Sequence, residues 1–201
     1  MAVLTRPQAV EKLYNDTLLP PTTIIGAFEI LDKSGRPLTP DNVAASAWSA
    51  YKAYETAVTE KASDFHAILG NCFPDTDLVA SEIDLLSAVG WTVPPRTRLD
   101  CVDELARKVN AGSIDYARAA LLSLIIPECQ AMTNDQYARV VLCAAVLINK
   151  TADVAWTRHL ATKDIGRDYI VHWATEVAEV AGPPSPAPPS PVRRGVKRKR
   201  E

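Results

Sequence analysis

Helix-start signals recur along the chain, and they constrain its fold more than any other feature. The pairs Thr5/Gln8 and Thr133/Gln136 have the spacing of capping boxes, in which two side chains satisfy free N–H groups of a first helical turn. Residues 39–41, Thr-Pro-Asp, supply a cap, a preset first residue and an acid at the positive end of the helix dipole. We therefore expect an all-α protein.

Apolar residues at intervals of three and four follow these starts, as in amphipathic helices, and prolines or glycines end most of the stretches. The pattern predicts an orthogonal bundle of seven to eight helices. The expected helical segments are 6–19, 40–58, 63–69, 77–89, 113–126, 135–148, a helix that starts at Thr151, and 164–181; a basic segment around 96–108 lies between the fourth and the fifth.

Residues 22–31 are the exception, because they are rich in β-branched and aromatic side chains and are followed by the turn-forming run 32–37. We expect this stretch to be a strand or an extended N-terminal segment.

Two apolar stripes are expected to face the core. The first, in the alanine-rich segment after residue 39, suits helix packing better than base stacking. The second lies in segment 77–89. Their members are Ala44, Ala47, Trp48, Tyr51, Tyr54 and Val58 in the first stripe, and Leu78, Val79, Ile83, Leu86 and Val89 in the second.

The C-terminal residues 182–201, here called the basic tail, hold six of the fifteen prolines and no apolar residue larger than valine. Such a segment buries too little apolar surface to offset its ordering entropy, so we predict a disordered tail behind a single helical domain, the body (1–181). Six basic residues against Glu201 give the tail a net charge of +5, which leaves −7 on the body. Strong attraction to polyanions is therefore expected mainly in the tail.

Motifs for catalysis, metal binding and membrane insertion are missing from the sequence. Four cysteines without a Cys-x-x-Cys pair predict free buried thiols, and three scattered histidines predict no metal site. Phosphate-binding glycine loops and long apolar runs are absent too, so we expect no cofactor, no enzymatic activity, no membrane partner and no secretion. A cysteine–histidine pair formed only in space stays open. The residues concerned are Cys72, Cys101, Cys129, Cys143, His66, His159 and His172.

One local concentration of positive charge occurs in the body, and it contains Arg96, Arg98, Arg107 and Lys108. Acidic residues at positions 100, 103 and 104 are interleaved with it, which is typical of a salt-bridged helix face. The alternative is a phosphate-binding face, which requires that arginines of later helices converge on it. The candidates for that convergence are Arg118 and Arg139.

The tail has its own basic cluster, which matches a monopartite nuclear localisation signal and can equally contact phosphates or simply aid solubility. Its members are Arg193, Arg194, Lys197, Arg198, Lys199 and Arg200. Ser185 and Ser190 each precede a proline, so proline-directed phosphorylation there is a hypothesis; added negative charge would weaken either use of the cluster.

A helical body followed by a proline-rich spacer and a basic end resembles the layout of viral capsid and nucleocapsid proteins. Locally, residues 73–77 (Phe-Pro-Asp-Thr-Asp) and 95–100 (Pro-Arg-Thr-Arg-Leu-Asp) look like the helical coat proteins of rod-shaped plant viruses. The resemblance implies a homo-oligomer that binds RNA backbone, with Arg96, Arg98 and Asp100 facing the RNA, in the virion and the host cytoplasm or nucleus.

The alternative function is a nuclear adaptor or regulatory protein. Its acidic body would bind a protein partner, and its tail would serve only to engage an import receptor.

Overall fold

The computed structural model describes residues 3–55, 61–70, 72–73, 76–112, 114–150 and 155–182, and these residues form an all-α bundle. They contain ten α-helices, one 3-10 helix and no β-strand, which confirms the predicted fold class. In chain order the helices are α1 (Arg6–Asp16), α2 (Pro21–Ser34), α3 (Pro40–Tyr54), α4 (Ala62–Ile68), α5 (Leu78–Ala88), α6 (Arg98–Lys108), α7 (Ala117–Ser123), α8 (Pro127–Ala131), α9 (Asn134–Asn149), the 3-10 helix (Ala155–His159) and α10 (Arg167–Val180).

The predicted capping boxes are present at α1 and α9. Thr5 Oγ1 accepts a hydrogen bond from the Gln8 N–H at 3.4 Å, and Gln8 Oε1 accepts one from the Thr5 N–H at 2.9 Å. Thr133 and Gln136 make the same reciprocal pair, at 3.3 and 3.0 Å. These bonds satisfy donors that a helix leaves free at its first turn, so local chemistry alone sets the two starts.

Residues 22–31 form part of helix α2, so the predicted strand or extended N-terminal segment was wrong. Pro21 occupies the first helical turn, where a fixed φ and a missing N–H cost nothing. Gly35 ends the helix in the left-handed conformation, at φ 63°. Residues 23–28 are all buried. A helix that is enclosed on most sides has apolar residues on every face, so its sequence is a continuous apolar run. Such a run cannot be told from a buried strand by its periodicity.

The two most extensive helix contacts are α2 with α3 and α9 with α10; α5 packs on α3, and α6 packs on α9. Trp48 and Tyr51 of α3 meet Phe65 of α4 with ring centroids 4.8 and 5.2 Å apart, which confirms the core role of the aromatic stripe. Tyr137 of α9 is fully buried and shares a hydrogen bond of 2.9 Å with Ser123. Val58, the last predicted member of that stripe, lies outside the described residues.

Helix α5 packs on α3 with only part of the predicted stripe inward, since Leu78 and Val89 are buried as predicted. Glu82 is buried and accepts hydrogen bonds from Ser49 Oγ at 2.9 Å and from Lys52 Nζ at 2.6 Å. Val79 and Ile83 were expected to face the core, but they are 53% and 51% exposed. This buried, fully paired carboxylate fixes the rotation of the helix and turns two apolar side chains outward.

Further differences concern helix ends. The predicted helix 113–126 is shorter, running from Ala117 to Ser123, and Pro127 begins α8 in addition to ending the segment before it. Helix α1 ends at Asp16 instead of residue 19. Ser113, Thr151 and residues 183–201 lie outside the described residues, and so do the predictions of a helix start at 151 and of a disordered tail.

Candidate nucleic-acid interface

The six basic body residues singled out in the sequence lie in separate environments. Arg96, Arg107 and Lys108 are exposed, on α6 or just before it. The other three donate hydrogen bonds to backbone carbonyls in different parts of the fold; they are Arg98, Arg118 and Arg139. The convergence that a phosphate-binding face requires is therefore missing from these six side chains.

Two of the exposed cations, Arg96 and Arg107, border an open cleft of about 650 Å³ between α6 and the facing residues of α2 and α3, which we call the α6 cleft. Glu104 pairs with Arg96 at 3.7 Å and with Lys108 at 2.7 Å. Arg107 and Arg96 line the cleft together with Asp100, Asp103 and Glu104, so carboxylates outnumber cations there. This arrangement is the salt-bridged helix face that the interleaved charges predicted.

Two carboxylates of α6 respond differently to their surroundings. Burial raises the pKa of Asp103, and the hydroxyl of Tyr116 donates a hydrogen bond to this side chain. The hydrogen bond from Lys108 lowers the pKa of Glu104. Glu104 therefore stays ionised near pH 7, which lowers the positive potential that Arg96 and Lys108 offer to a phosphate.

Glu29 of α2 lies beneath the start of α6. Its carboxylate accepts a hydrogen bond of 2.7 Å from the Arg98 backbone N–H, one of the free donors of the first helical turn. Burial raises the pKa of Glu29 to about 7. The charge under α6 consequently changes across the neutral pH range.

The side chain of Arg98 binds backbone carbonyls inside the protein. Its guanidinium donates to the carbonyls of Cys129, Gln130 and Met132 at 2.9, 3.1 and 2.6 Å, around the end of α8. Its Cζ lies 5.0 Å from the centroid of the Tyr137 ring. A cation at a helix C-terminus satisfies carbonyls that lack helical partners, so this side chain caps α8.

Arg139 and Arg118 are used in a similar way. Arg139 is 9% exposed, donates to the Leu160 carbonyl at 2.5 Å and pairs with Asp135 at 2.9 Å. Arg118 donates to the Ala181 carbonyl at 3.1 Å, just beyond α10. Both guanidinium groups thus bind the carbonyl of a residue that directly follows a helix, the 3-10 helix for Arg139 and α10 for Arg118.

Exposed apolar side chains lie on the outer side of α5 and just beyond its end, and two of them, Val79 and Ile83, were predicted to face the core. Val79, Ile83 and Trp91, here called the α5 ridge, are all more than half exposed. Trp91 has a φ of 58°, an uncommon value for a bulky side chain, and its N–H donates to the Leu86 carbonyl at 2.7 Å. Only the pairing of Glu82 with side chains of α3 reveals which face of α5 is outside.

The four cysteines are free thiols, as predicted, but only Cys129 is buried; Cys72, Cys101 and Cys143 are partly exposed. Burial raises the pKa of all four thiols, that of Cys129 to about 11, so they stay protonated near pH 7. Within the described residues, no cluster of three or more histidine, cysteine or carboxylate side chains is arranged to hold a metal ion. A helix long and apolar enough to cross a membrane is also not found in that part of the chain.

The basic cluster of the tail, Arg193 to Arg200, and the two serines Ser185 and Ser190 lie outside the described residues. Their proposed roles stay predictions. Comparison with protein-family models, with curated proteins and with solved structures finds no match to this chain.

Proposed function

We propose that the chain is a non-enzymatic coat- or nucleocapsid-type protein whose helical body associates with other copies and whose basic tail contacts RNA phosphates. The main observation behind this proposal is that the arginines of the body contact other parts of the body, which leaves few of them for a phosphate. Arg98, Arg118 and Arg139 bind backbone carbonyls within the body. The exposed cations beside α6 share their surface with carboxylates, so the tail is the main cationic segment of a chain whose body carries −7.

The expected RNA interaction is electrostatic and independent of sequence. A tail that neutralises about five phosphates of a single strand gives a slope of log K against log salt of about −3.5. Raising the salt fourfold should therefore weaken binding about 100-fold. Arg96, Arg107 and Lys108 remain in the proposal as auxiliary contacts, because they are exposed to solvent.

Self-association is proposed to use the α5 ridge. Val79 and Ile83 lie one helical turn apart on the exposed side of α5, and Trp91 is exposed just beyond its end. Large exposed apolar side chains of this kind resemble the core of a protein interface more than an ordinary solvated helix face. Arg36 and Asp84, paired at 2.7 Å on the same side of the bundle as α5, are both partly exposed. A surface that carries both signs of charge can complement itself, as a two-fold interface between identical chains requires.

The test is purification of the full chain without nuclease, followed by size-exclusion chromatography with absorbance at 260 and 280 nm. Wild-type protein should elute as a nucleic-acid-containing oligomer. A tail variant with glutamine at positions 197–200 should lose the nucleic acid, whereas the matched body variant Arg96→Gln/Arg107→Gln/Lys108→Gln should keep most of it. A monomeric wild-type protein that binds no added RNA at low salt would refute the proposal.

A nuclear adaptor is the second candidate, and the acidic body favours it because a net charge of −7 repels nucleic acid. In that case the cluster at 197–200 serves import alone. Import of a fluorescent fusion that depends on the cluster, combined with no RNA binding by the purified protein, would select this function over the coat type.

Phosphorylation of the tail would weaken both RNA binding and recognition by an import receptor. A phosphate on Ser185 or Ser190 adds roughly 1.5 to 2 negative charges near the basic cluster. Nuclear fractions that are equal for Ser190→Ala and Ser190→Asp would contradict this regulation.

A further inference from the structure

The C-terminal end of the body borders an apolar groove of about 390 Å³, which we call the C-terminal groove. One wall is helix α1, the other is α7 with the residues after it, and the end of α10 closes one side. Tyr14 and Val180 line it and are 49% and 44% exposed, although both are apolar enough for a core. Leu122 and Ile125 form its floor and are only partly buried.

The basic tail begins at the rim of this groove. Ala181 lines the groove, and its carbonyl accepts the hydrogen bond from Arg118. Gly182 then turns the chain in the left-handed conformation, at φ 65°, while its N–H donates to the Glu179 carbonyl at 3.0 Å. Pro183 is therefore the next residue after a fixed exit point.

The tail sequence has the chemistry that such a groove binds. Residues 183–191 read Pro-Pro-Ser-Pro-Ala-Pro-Pro-Ser-Pro, a composition that favours the polyproline II helix. Polyproline helices dock against aromatic side chains with little loss of conformational entropy, and Tyr14 is the aromatic residue among those that line this groove. Their carbonyls need donors, and the groove supplies Arg118, Asn15 and the hydroxyl of Tyr14.

The length of the tail and the charge of its arginines both fit the C-terminal groove. Helix α1 has 11 residues and is about 16 Å long, a distance that five to six residues of polyproline II span at roughly 3.1 Å each. The tail therefore has enough chain to cross the groove before its basic residues begin. Glu11 of α1 lines the groove as well and offers a carboxylate to Arg193 or Arg194, which follow directly.

We propose that residues 183–191 dock as a polyproline II segment in the C-terminal groove of the same chain. Docking holds the basic cluster close to the acidic body, where it is less accessible to a polyanion or an import receptor. Phosphate on Ser185 adds negative charge near Glu179, at the start of the tail, and so releases the tail. The docking does not depend on what the released tail binds.

The test uses a fluorescently labelled peptide of residues 182–194 and full-length protein, with binding followed by anisotropy. In wild-type protein the attached tail competes at an effective concentration in the millimolar range. A full-length variant with serine at prolines 184, 186, 189 and 191 has an emptied groove, so it should bind the peptide at least tenfold more tightly than wild type.

Groove variants are made in this tail variant. Tyr14→Ser should weaken peptide binding at least tenfold, and the matched control Tyr169→Ser, a half-exposed tyrosine of α10 outside the groove, should change it less than twofold. A peptide phosphorylated at the serine of position 185 should bind several-fold more weakly.

Four results would overturn the proposal. The first is equal peptide affinity for wild type and the tail variant, and the second is binding that Tyr14→Ser leaves unchanged. The third is a dimer in light scattering that the tail variant lacks, because it would mean that the tail docks in a second copy. Absence of peptide binding to the tail variant counts against docking as well.

Discussion

Replacing Glu29 with glutamine should stabilise the protein at pH 8 and remove a large part of its pH dependence below neutrality. The carboxylate lies under the start of α6, where it accepts the Arg98 N–H at 2.7 Å. Burial raises its pKa from 4.5 to about 7, so above neutrality the folded protein keeps a charge in a poorly solvated place. Glutamine keeps an acceptor oxygen there without the charge.

The sign and size follow from proton linkage. Because the pKa is higher in the folded than in the unfolded protein, the proton's contribution to stability is fully present below about pH 4.5 and is lost as the pH rises through about 7. The difference between a pKa of 4.5 and one of about 7 corresponds to about 3 kcal/mol. The glutamine amide needs a partner of its own, so we expect Glu29→Gln to gain about 1–3 kcal/mol at pH 8.

Urea unfolding followed by circular dichroism at pH 5 and pH 8 measures the effect. The free energy of unfolding of the variant minus that of wild type should be larger at pH 8 than at pH 5. Glu176→Gln, at an exposed position of α10, serves as the control and should show no such change. If the difference for Glu29→Gln is the same at both pH values, burial of this charge is not what limits stability.

Three further changes test the packing and the α5 ridge. Arg98→Met leaves three carbonyls without their donor, so urea unfolding should show a loss of about 2–4 kcal/mol; a variant as stable as wild type would contradict the capping role. Gly26→Ala places a methyl group against the ring of Tyr54 and should cost about 1–3 kcal/mol, seen as a lower melting temperature; an unchanged one would mean that the ring moves freely. Val79→Ser/Ile83→Ser should change stability by less than about 1 kcal/mol and reduce the mass measured by light scattering, unless the ridge takes no part in assembly.

The sequence predicted the fold class and the best-capped helix starts because those depend on local chemistry. Thr5 and Thr133 bond to residues three positions ahead, so the signal and its partner are close in sequence. Helix α2 was misread because burial on nearly all sides, a tertiary property, makes its sequence apolar throughout. Tertiary burial outweighs the strand preference of its β-branched residues.

The candidate interface was harder to predict, because whether a basic side chain faces solvent or binds within the fold depends on partners that are distant in sequence. Arg98 binds carbonyls 31 to 34 residues ahead, and Glu29 meets its N–H from 69 residues behind. Local spacing did identify the charge pairs of α6, such as Lys108 with Glu104 four residues before it. The inward face of α5 carries apolar residues at helical spacing, but so does the outward face, and the pairing of buried Glu82 with Ser49 and Lys52 decides between them.

The contacts of Arg98 should also couple the local unfolding of several helices. Through its backbone it is tied to Glu29 of α2, and through its guanidinium to the end of α8 and to the ring of Tyr137 in α9. Fraying of any one of these segments breaks contacts that the others share. Amide hydrogen exchange in the first turn of α6, the end of α8 and the start of α9 should therefore proceed through one cooperative unit, with similar opening free energies.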